Sequence, residues 1–337
     1  MKYLDISRNK VELMGVAMLL VMFFHAQVRI DNSILYYIHY YGYIGVDLFL
    51  FLSGIGCLYS YRKNSDKKQF FKKRIFRLLP VYLPIAIVLS FLLLKFNYIT
   101  VSDFLGESTL TNFIFQIGNF PKWYWYIPSL LFMYFLTPFV IDFYDKYKNK
   151  RKAIVVIWFV SFLLGLLAMG YNNACYYIFV GRIPIYLIGL YFGQKALNED
   201  KMSKGSIIFL FIMSLLSILF LVWNRNFGVR WWSNLFIYSA FIFLTVFLSI
   251  LISYIINYLR DHFKFIKFSF LKFIGTITLE IYSMHERLII IGFFIFKKLG
   301  YTVSIYGMKY NIFIAFVTIF MAYIYNKVIK WMMDYKK

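Results

Sequence analysis

Residues 206–223 read SIIFLFIMSLLSILFLVW, eighteen consecutive positions without a charged side chain. A helix needs about 20 such residues to cross the hydrocarbon core of a bilayer. Nine further stretches of largely apolar residues accompany this one: 11–29, 42–61, 76–96, 123–143, 153–171, 176–194, 231–258, 270–296 and 311–330. The sequence therefore predicts an all-α membrane protein, a bundle of about ten transmembrane helices that forms a single domain over residues 1–337.

The overall composition excludes most other classes of protein. Hydrophobic residue types account for 61% of the 337 residues and charged types for 15%, whereas a soluble domain is about half apolar and about a quarter charged. The two cysteines are too few for a disulfide scaffold or a cysteine-built zinc site. No soluble domain remains outside the apolar stretches, so we expect a multi-pass protein of the cell (plasma or inner) membrane.

The net charge of +22 is explained by topology rather than by a nucleic-acid partner. Most of the 37 Lys and Arg residues fall in alternate loops, which lie in the cytoplasm when the N-terminus is placed there. Membrane proteins carry such an excess of positive charge on the cytoplasmic side. The distribution therefore predicts that both termini are cytoplasmic, that the lipid bilayer is a partner and that nucleic acid is not.

The most basic of these loops is the segment 62–77, with eight positive side chains: Arg62, Lys63, Lys67, Lys68, Lys72, Lys73, Arg74 and Arg77. Two interpretations stay open. The charges can set the topology and attract anionic lipid, or they can hold a phosphorylated cytosolic ligand, because Lys and Arg both bind phosphate. Arg74 and Arg77 lead into the third predicted span and are the candidates for the mouth of a cavity.

Five polar side chains inside the predicted spans are expected at one depth. The helical rise of about 1.5 Å per residue puts each of them roughly 21–22 Å from the cytoplasmic surface. They come from five different spans: His25, Asp47, Ser129, Arg182 and His285. Polar groups within a span are costly and usually functional, so this layer predicts a polar cavity that opens outward.

Each member of the layer also has a structural alternative. Asp47 and Arg182 can form a buried ion pair, and Ser129 can bond to a carbonyl of its own helix. His285 and the following Glu286 can belong to a polar cap at the outer end of their span. The functional and structural interpretations stay open at this point.

The residue types in the layer favour proton transfer. The imidazole of His25 titrates near neutrality and can take a proton from a hydroxyl group. A carboxylate such as Asp47 on the other ring nitrogen would fix the tautomer and raise the basicity of the ring. No two histidines lie four residues apart on one helix, so the sequence predicts no metal site. Group transfer to a hydroxyl on the outer side is the reaction class that these residues favour.

Short motifs along nearly the whole chain resemble those of the integral-membrane acyltransferase-3 family. Each motif is weak by itself, and the resemblance depends on their order and spacing. The motifs are GVAMLLVMFFH at 15–25, GVDLFLFLSG at 45–54, KRIFRLLP at 73–80, WYWYIPSL at 123–130, GRIP at 181–184, LKFIG at 271–275 and EIYSMH at 280–285.

This resemblance implies a membrane O-acyltransferase. Such an enzyme moves an acyl group, usually acetyl from cytosolic acetyl-CoA, to a hydroxyl of a surface glycan or lipid-linked sugar on the outer side. His25 would be the catalytic base and Asp47 its support. The residues expected to bind the acceptor are Trp125, Ser129, Arg182, His285 and Glu286.

The donor site is expected at the cytoplasmic face. Arg74 and Arg77, with the neighbouring Lys73, match the basic motif that the family places near the phosphates of CoA. The family commonly has an arginine eleven positions before the histidine, where this chain has Met14. Lys10, about one turn earlier on the same helix face, is the expected substitute.

Two other functions are compatible with the same residues. A transporter or flippase for a lipid-linked saccharide would use the intramembrane charges as a substrate path, although the sequence has no obvious internal repeat. A protein of the same fold could also bind or sense a surface ligand without catalysis. Acyl transfer is the leading prediction.

Overall fold

The structure is a computed structural model that describes residues 1–111, 125–146, 150–170, 178–228, 233–263 and 266–334. Within these residues every regular element is a helix and no strand is present. The helices are α1 Tyr3–Arg8, α2 Lys10–His25, α3 Ser33–Tyr40, α4 Ile44–Lys63, α5 Lys67–Lys95, α6 Val101–Ser108, α7 Tyr126–Lys146, α8 Lys150–Gly170, α9 Ile183–Leu197, α10 Lys204–Phe227, α11 Ser233–His262, α12 Ser269–Thr276, α13 Thr278–Lys298 and α14 Met308–Asp334.

Six of the described helices are long and apolar enough to cross a membrane, namely α4, α5, α7, α10, α11 and α14. The prediction of an all-helical membrane protein is confirmed, while the count of ten spans and the cytoplasmic termini stay predictions. Two of the remaining predicted spans form helices of 16 and 15 residues, α2 and α9. The helix α13 has 21 residues but carries Glu280, Glu286 and Arg287, which lower its mean hydropathy.

The helix α10 illustrates how the membrane-crossing helices present apolar surface. The helix begins after Ser203, whose hydroxyl accepts a hydrogen bond from the Ser206 amide. This bond supplies an acceptor for one of the N–H groups that have no partner within the first turn. The large apolar side chains that it leaves exposed are Ile208, Phe209, Phe211, Ile212, Leu215, Leu216, Ile218, Leu219, Trp223 and Phe227. A face of this kind is typical of contact with lipid.

The chain divides into two compact units, and each is described by itself. The first unit comprises Met1–Ala17, Ile44–Phe71 and Ser129–Lys272, and the second comprises Met18–Tyr43, Lys72–Pro128 and Phe273–Lys337. Both units are assembled from segments that are distant in sequence. The single domain over residues 1–337 stays a prediction.

In the first unit α4 and α9 approach each other closely through glycines. A Cβ atom on Gly54 would lie 2.3 Å from the carbonyl oxygen of Tyr186, and one on Gly189 would lie 2.2 Å from that of Phe51. No real side chain tolerates such distances, so only glycine permits this backbone contact. Small residues serve the same purpose at other membrane helix interfaces. The close contact fixes α4 beside α9 and brings their polar residues together.

The N-terminal helices are attached to α11 by a buried polar group in the same unit. The carboxylate of Glu12, which is almost fully buried, accepts a hydrogen bond from Arg260 and lies 3.7 Å from the ammonium of Lys272. Asn9 donates to Asn257 over 2.8 Å. Because a buried carboxylate is stable only when it is paired, these contacts explain why charged residues are tolerated here.

In the second unit a tyrosine of α14 contacts carbonyl groups of α5 at a point where a proline interrupts the helical hydrogen bonds. Pro84 has no N–H group, so the carbonyl of Pro80 lacks its usual helical donor. The hydroxyl of Tyr325 lies 3.4 Å from that carbonyl and donates to the neighbouring carbonyl of Val81 over 3.1 Å. This contact and the bond from Asn326 to Glu280 over 2.5 Å connect α14 with α5 and α13.

Candidate functional site

Three titratable side chains come together in the second unit. His25 is the last residue of α2, and His285 and Glu286 lie in the middle of α13. The Nδ1 atom of His25 is 3.5 Å from Oε1 of Glu286, and the rings of the two histidines meet edge to face with centroids 5.0 Å apart. We call these three residues the histidine–glutamate cluster.

The end of α2 is held in place by packing and by hydrogen bonds just beyond it. The ring of Phe24 meets the His25 ring edge to face at 4.7 Å. Just beyond the helix, the carbonyl of Ala26 contacts Nε2 of His39 over 2.8 Å. Gly42 lies so close to α2 that a Cβ on it would be 2.6 Å from the carbonyl oxygen of Leu20. These contacts hold the backbone on which His25 stands.

His285 has a defined tautomer. Its Nδ1 atom lies 2.9 Å from the carbonyl of Tyr282 and 3.1 Å from that of Ile281. Since carbonyls only accept hydrogen bonds, Nδ1 carries the proton and Nε2 has a lone pair. That Nε2 atom is buried and makes no hydrogen bond to any residue that the structure describes. It is therefore an acceptor available to a ligand.

The cluster is open on the side of His25. Its side chain is 27% exposed and that of Glu286 is 23% exposed, whereas His285 is 4% exposed. A chain of aromatic rings continues from His285 through Tyr282 and Tyr126 to Trp125, with centroid distances of 5.7, 4.9 and 6.0 Å. The side chains of His25 and Glu286 are thus partly accessible, and the buried His285 connects them to a series of aromatic rings.

Asp47 and Arg182 form a buried ion pair in the first unit. The Nε atom of Arg182 donates to Oδ2 of Asp47 over 3.1 Å, with both side chains at most 2% exposed. The guanidinium also stacks over the ring of Tyr238 at 4.4 Å and donates to the carbonyl of Ile178 over 3.3 Å. The structure thus contains the ion pair that the sequence left open as the alternative for Asp47. Ser129 is buried in the same unit.

The predicted donor residues differ in exposure. Lys73 and Arg77 are exposed on α5, and Arg74 on the same helix is buried. Lys10 belongs to the first unit, where a Cβ on Gly56 would lie 2.2 Å from its Nζ atom. Glycine at this position of α4 therefore leaves room for the ammonium group.

Two charges of the basic segment 62–77 are already neutralised by carboxylates of α7. Arg62 forms a two-pronged pair with Asp145 over 2.6 and 2.7 Å, and Lys67 lies 2.8 Å from Asp142. These two pairings could not be predicted, because no sequence pattern links residues about 80 positions apart. Arg74 and Arg77, at the other end of the segment, stay the predicted candidates for a phosphate ligand.

A further buried polar group was missed by the sequence analysis. Glu107 of α6 accepts a hydrogen bond from the Ser90 hydroxyl over 2.5 Å and lies 3.8 Å from Nη2 of Arg287. Burial raises the pKa of Glu107 to about 7, against the opposing effect of Arg287. The residue falls in a stretch that reads as an outer loop, which gave no signal of its burial.

The histidine–glutamate cluster also has the composition of a metal-ligand set. One ring nitrogen from each of His25 and His285 and one carboxylate oxygen of Glu286 all lie within 4.8 Å of one another. The sequence predicted no metal site because no two histidines are spaced as ligands along one helix. The three residues of this cluster come from two helices, α2 and α13. Their chemistry thus includes both proton transfer and coordination of a cation.

Comparison with known proteins connects this site to a reaction class. The model of a family described as an acyltransferase domain matches residues 13–326. A protein of Acidianus two-tailed virus named "Putative acetyltransferase ORF330" is 25% identical over 190 residues, which are 53% of this chain and 56% of that protein. The chain thus spans about half the length of this curated relative. No solved structure matches the chain.

Proposed function

The chain belongs to the acyltransferase-3 family, and from this premise we propose that it is a membrane O-acyltransferase for a hydroxyl acceptor on the outer side. The donor is an acyl-CoA, with acetyl-CoA as the expected one, and the acceptor is a surface glycan or lipid-linked sugar. The observation that carries the proposal is the contact of 3.5 Å between His25 and Glu286, within the stretch that the family matches. A base oriented by a carboxylate is what deprotonation of a hydroxyl requires.

His25 acts as the general base. If its Nδ1–H points at Glu286, the lone pair on Nε2 is free to take the proton of the acceptor hydroxyl. The distance of 3.5 Å is long for a hydrogen bond, and such contacts commonly shorten when substrate binds. Nε2 of His285 provides a second acceptor, to which a neighbouring hydroxyl of the acceptor molecule can donate.

The transfer then follows in one balanced sequence. The hydroxyl oxygen attacks the carbonyl carbon of the thioester as its proton passes to His25. A new ester bond forms, the carbon–sulfur bond breaks, and the CoA thiolate takes the proton from the imidazolium. The base is thereby restored and no other co-reactant is needed.

The direct test is an activity measurement on the purified chain in lipid nanodiscs. Acetyl-CoA labelled in the acetyl group is incubated with the protein and with a cell-envelope glycan. Stable label on the glycan supports the proposal. Movement of a lipid-linked saccharide across the bilayer of sealed vesicles, without any acylation, would support the transporter instead.

Glu286 is predicted to position His25. The change Glu286→Gln keeps the size of the side chain but removes the charge that stabilises the imidazolium, so kcat should fall by roughly 10²-fold or more. The KM for acetyl-CoA should change little, and the pH profile should shift because the base is less basic. A matched control is Glu199→Gln, since Glu199 is an exposed carboxylate outside the cluster. Equal kcat in wild type and Glu286→Gln would contradict the role.

The proposed donor site is the basic end of the segment 62–77. Coenzyme A carries several phosphate charges, so its nucleotide is expected to stay at the cytoplasmic face. Arg74 and Arg77 are the main candidates, and Lys73 is a further one. The long pantetheine arm would extend from there to the histidine–glutamate cluster.

Removing the charges of both Arg74 and Arg77 is predicted to weaken acetyl-CoA binding about tenfold. Calorimetry on the variant Arg77→Ala and on the double variant measures this, and added salt should weaken wild-type binding further through screening. The control is Lys63→Ala, because Lys63 is exposed in the same segment. Unchanged affinity for acetyl-CoA would contradict the donor site, and the charges of the segment would then serve only to set the topology and attract anionic lipid.

A further inference from the structure

We propose that the histidine–glutamate cluster is a binding site for a divalent transition-metal ion, with Zn²⁺ as the reference ion, and that the bound ion inhibits acyl transfer. Two imidazoles and one carboxylate form a known zinc ligand set that leaves the fourth position for water. Mg²⁺ and Ca²⁺ prefer oxygen ligands, so the two histidines favour Zn²⁺ and its neighbours in the first transition row.

The distances in the cluster are close to those of an assembled site. Ligand atoms about 2.1 Å from a tetrahedral zinc ion are about 3.4 Å apart. The pair from His25 and Glu286 already has a separation of 3.5 Å, and all three ligand atoms lie within 4.8 Å of one another. Side-chain rotations that move the ligand atoms by about 1 Å therefore bring all three to the spacing of a zinc site. No movement of α2 or α13 is needed.

The surroundings of His285 are those of a preformed ligand. Metal-bound histidines usually donate their other N–H to a carbonyl or a carboxylate, which fixes the tautomer. The Nδ1 atom of His285 has two such carbonyls, from Ile281 and Tyr282. Its Nε2 atom is buried and has no hydrogen bond among the described residues. A buried acceptor of this kind is costly, and a cation removes that cost.

The ion can enter and leave because the other two ligands remain accessible to solvent. The side chains of His25 and Glu286 are each about a quarter exposed. Only one carboxylate charge opposes the two charges of the ion, so we expect reversible binding rather than a permanent structural metal.

Inhibition follows from the lone pairs of His25. When one ring nitrogen binds the ion, the other carries the ring proton, so neither can accept a proton from a hydroxyl. This second half of the inference depends on the proposed role of His25 as the base, whereas metal binding itself does not. The ion should compete with the acceptor and leave acetyl-CoA binding unaffected.

Binding is tested without any activity measurement. The tag-free chain in nanodiscs is titrated with Zn²⁺ by calorimetry and with Co²⁺ by visible absorption, and one ion per chain is expected. The changes His285→Gln and Glu286→Gln should each weaken binding by at least about 10- to 100-fold, which is the usual loss when a residue that merely orients a metal ligand is removed. His262→Gln is the matched control, because His262 is exposed on α11 outside the cluster. Absence of binding, or binding that these cluster variants do not weaken, would overturn the site.

Inhibition is tested on the same preparation. Zn²⁺ should reduce labelled acetyl transfer in wild type, and a chelator should restore it. If zinc binds at the cluster but leaves transfer unchanged or accelerates it, the inhibitory role is wrong. If the metal-free protein transfers no acyl group to any acceptor while zinc still binds at the cluster, the proposed function fails and the metal site stands.

Discussion

Replacing His25 with alanine is expected to lower the rate of acyl transfer by about 10²–10⁴-fold or more, with little loss of folded protein. General-base catalysis by a positioned side chain contributes about that factor. Alanine removes the imidazole that takes the hydroxyl proton beside Glu286. Stability should hardly change, because His25 lies at the end of α2 with its side chain 27% exposed.

The measurement is labelled acetyl transfer, with thermal unfolding of each variant recorded in parallel. His262→Ala is the matched control, since it removes an exposed imidazole that bonds only locally to the carbonyl of Tyr258. The control should keep wild-type activity. Full activity of His25→Ala would remove the central claim of the mechanism, and His285, with its lone pair on Nε2, would be the next candidate for the base.

The fold class was predictable because it depends on local composition. About 20 consecutive apolar residues are enough to indicate a membrane-crossing helix, so stretches such as 206–223 can be recognised without tertiary information. The ends were less predictable. The first apolar stretch continues to residue 29, but α2 ends at His25, and the next carbonyl, that of Ala26, bonds to His39 rather than to another helical turn.

The candidate site was predictable only in part. Intramembrane histidines and charges are rare, so His25, Asp47, Arg182 and His285 could be singled out from the sequence. Their pairings could not be. Both histidine contacts and the Asp47–Arg182 bond join residues far apart in sequence, and adjacent positions on a helix point about 100° apart. Nothing in the pattern therefore indicated that His285 and Glu286 would both face His25.

Breaking the ion pair between Asp47 and Arg182 is expected to destabilise the protein by about 3–5 kcal/mol, because each single change leaves an uncompensated buried charge. The single changes are Asp47→Leu and Arg182→Met, and the double variant combines them. The double variant should recover most of the stability, since it buries two apolar side chains of suitable size in place of the pair. Thermal unfolding of the four proteins in detergent forms a double-mutant cycle that isolates the pairwise term.

An exposed pair of the same unit calibrates this cycle. Arg62 and Asp145 make a two-pronged contact at a half-exposed position, where such a pair contributes about 0–1 kcal/mol. Arg62→Met and Asp145→Leu should therefore shift the unfolding temperature far less than the changes at the buried pair. Equal small shifts at both pairs would show that the charges of Asp47 and Arg182 are not desolvated.

The conservative change Asp47→Asn separates the structural role of Asp47 from a catalytic one. If Asp47 serves Arg182, the variant loses stability, and its residual activity follows the fraction of folded protein. If Asp47 instead supports the base, turnover falls while the unfolding temperature stays near that of wild type. The bond of 3.1 Å to Arg182, with both side chains buried, favours the first result. In that case Glu286 is left as the carboxylate that acts on His25, and Glu286→Gln, rather than Asp47→Asn, should lower kcat in fully folded protein.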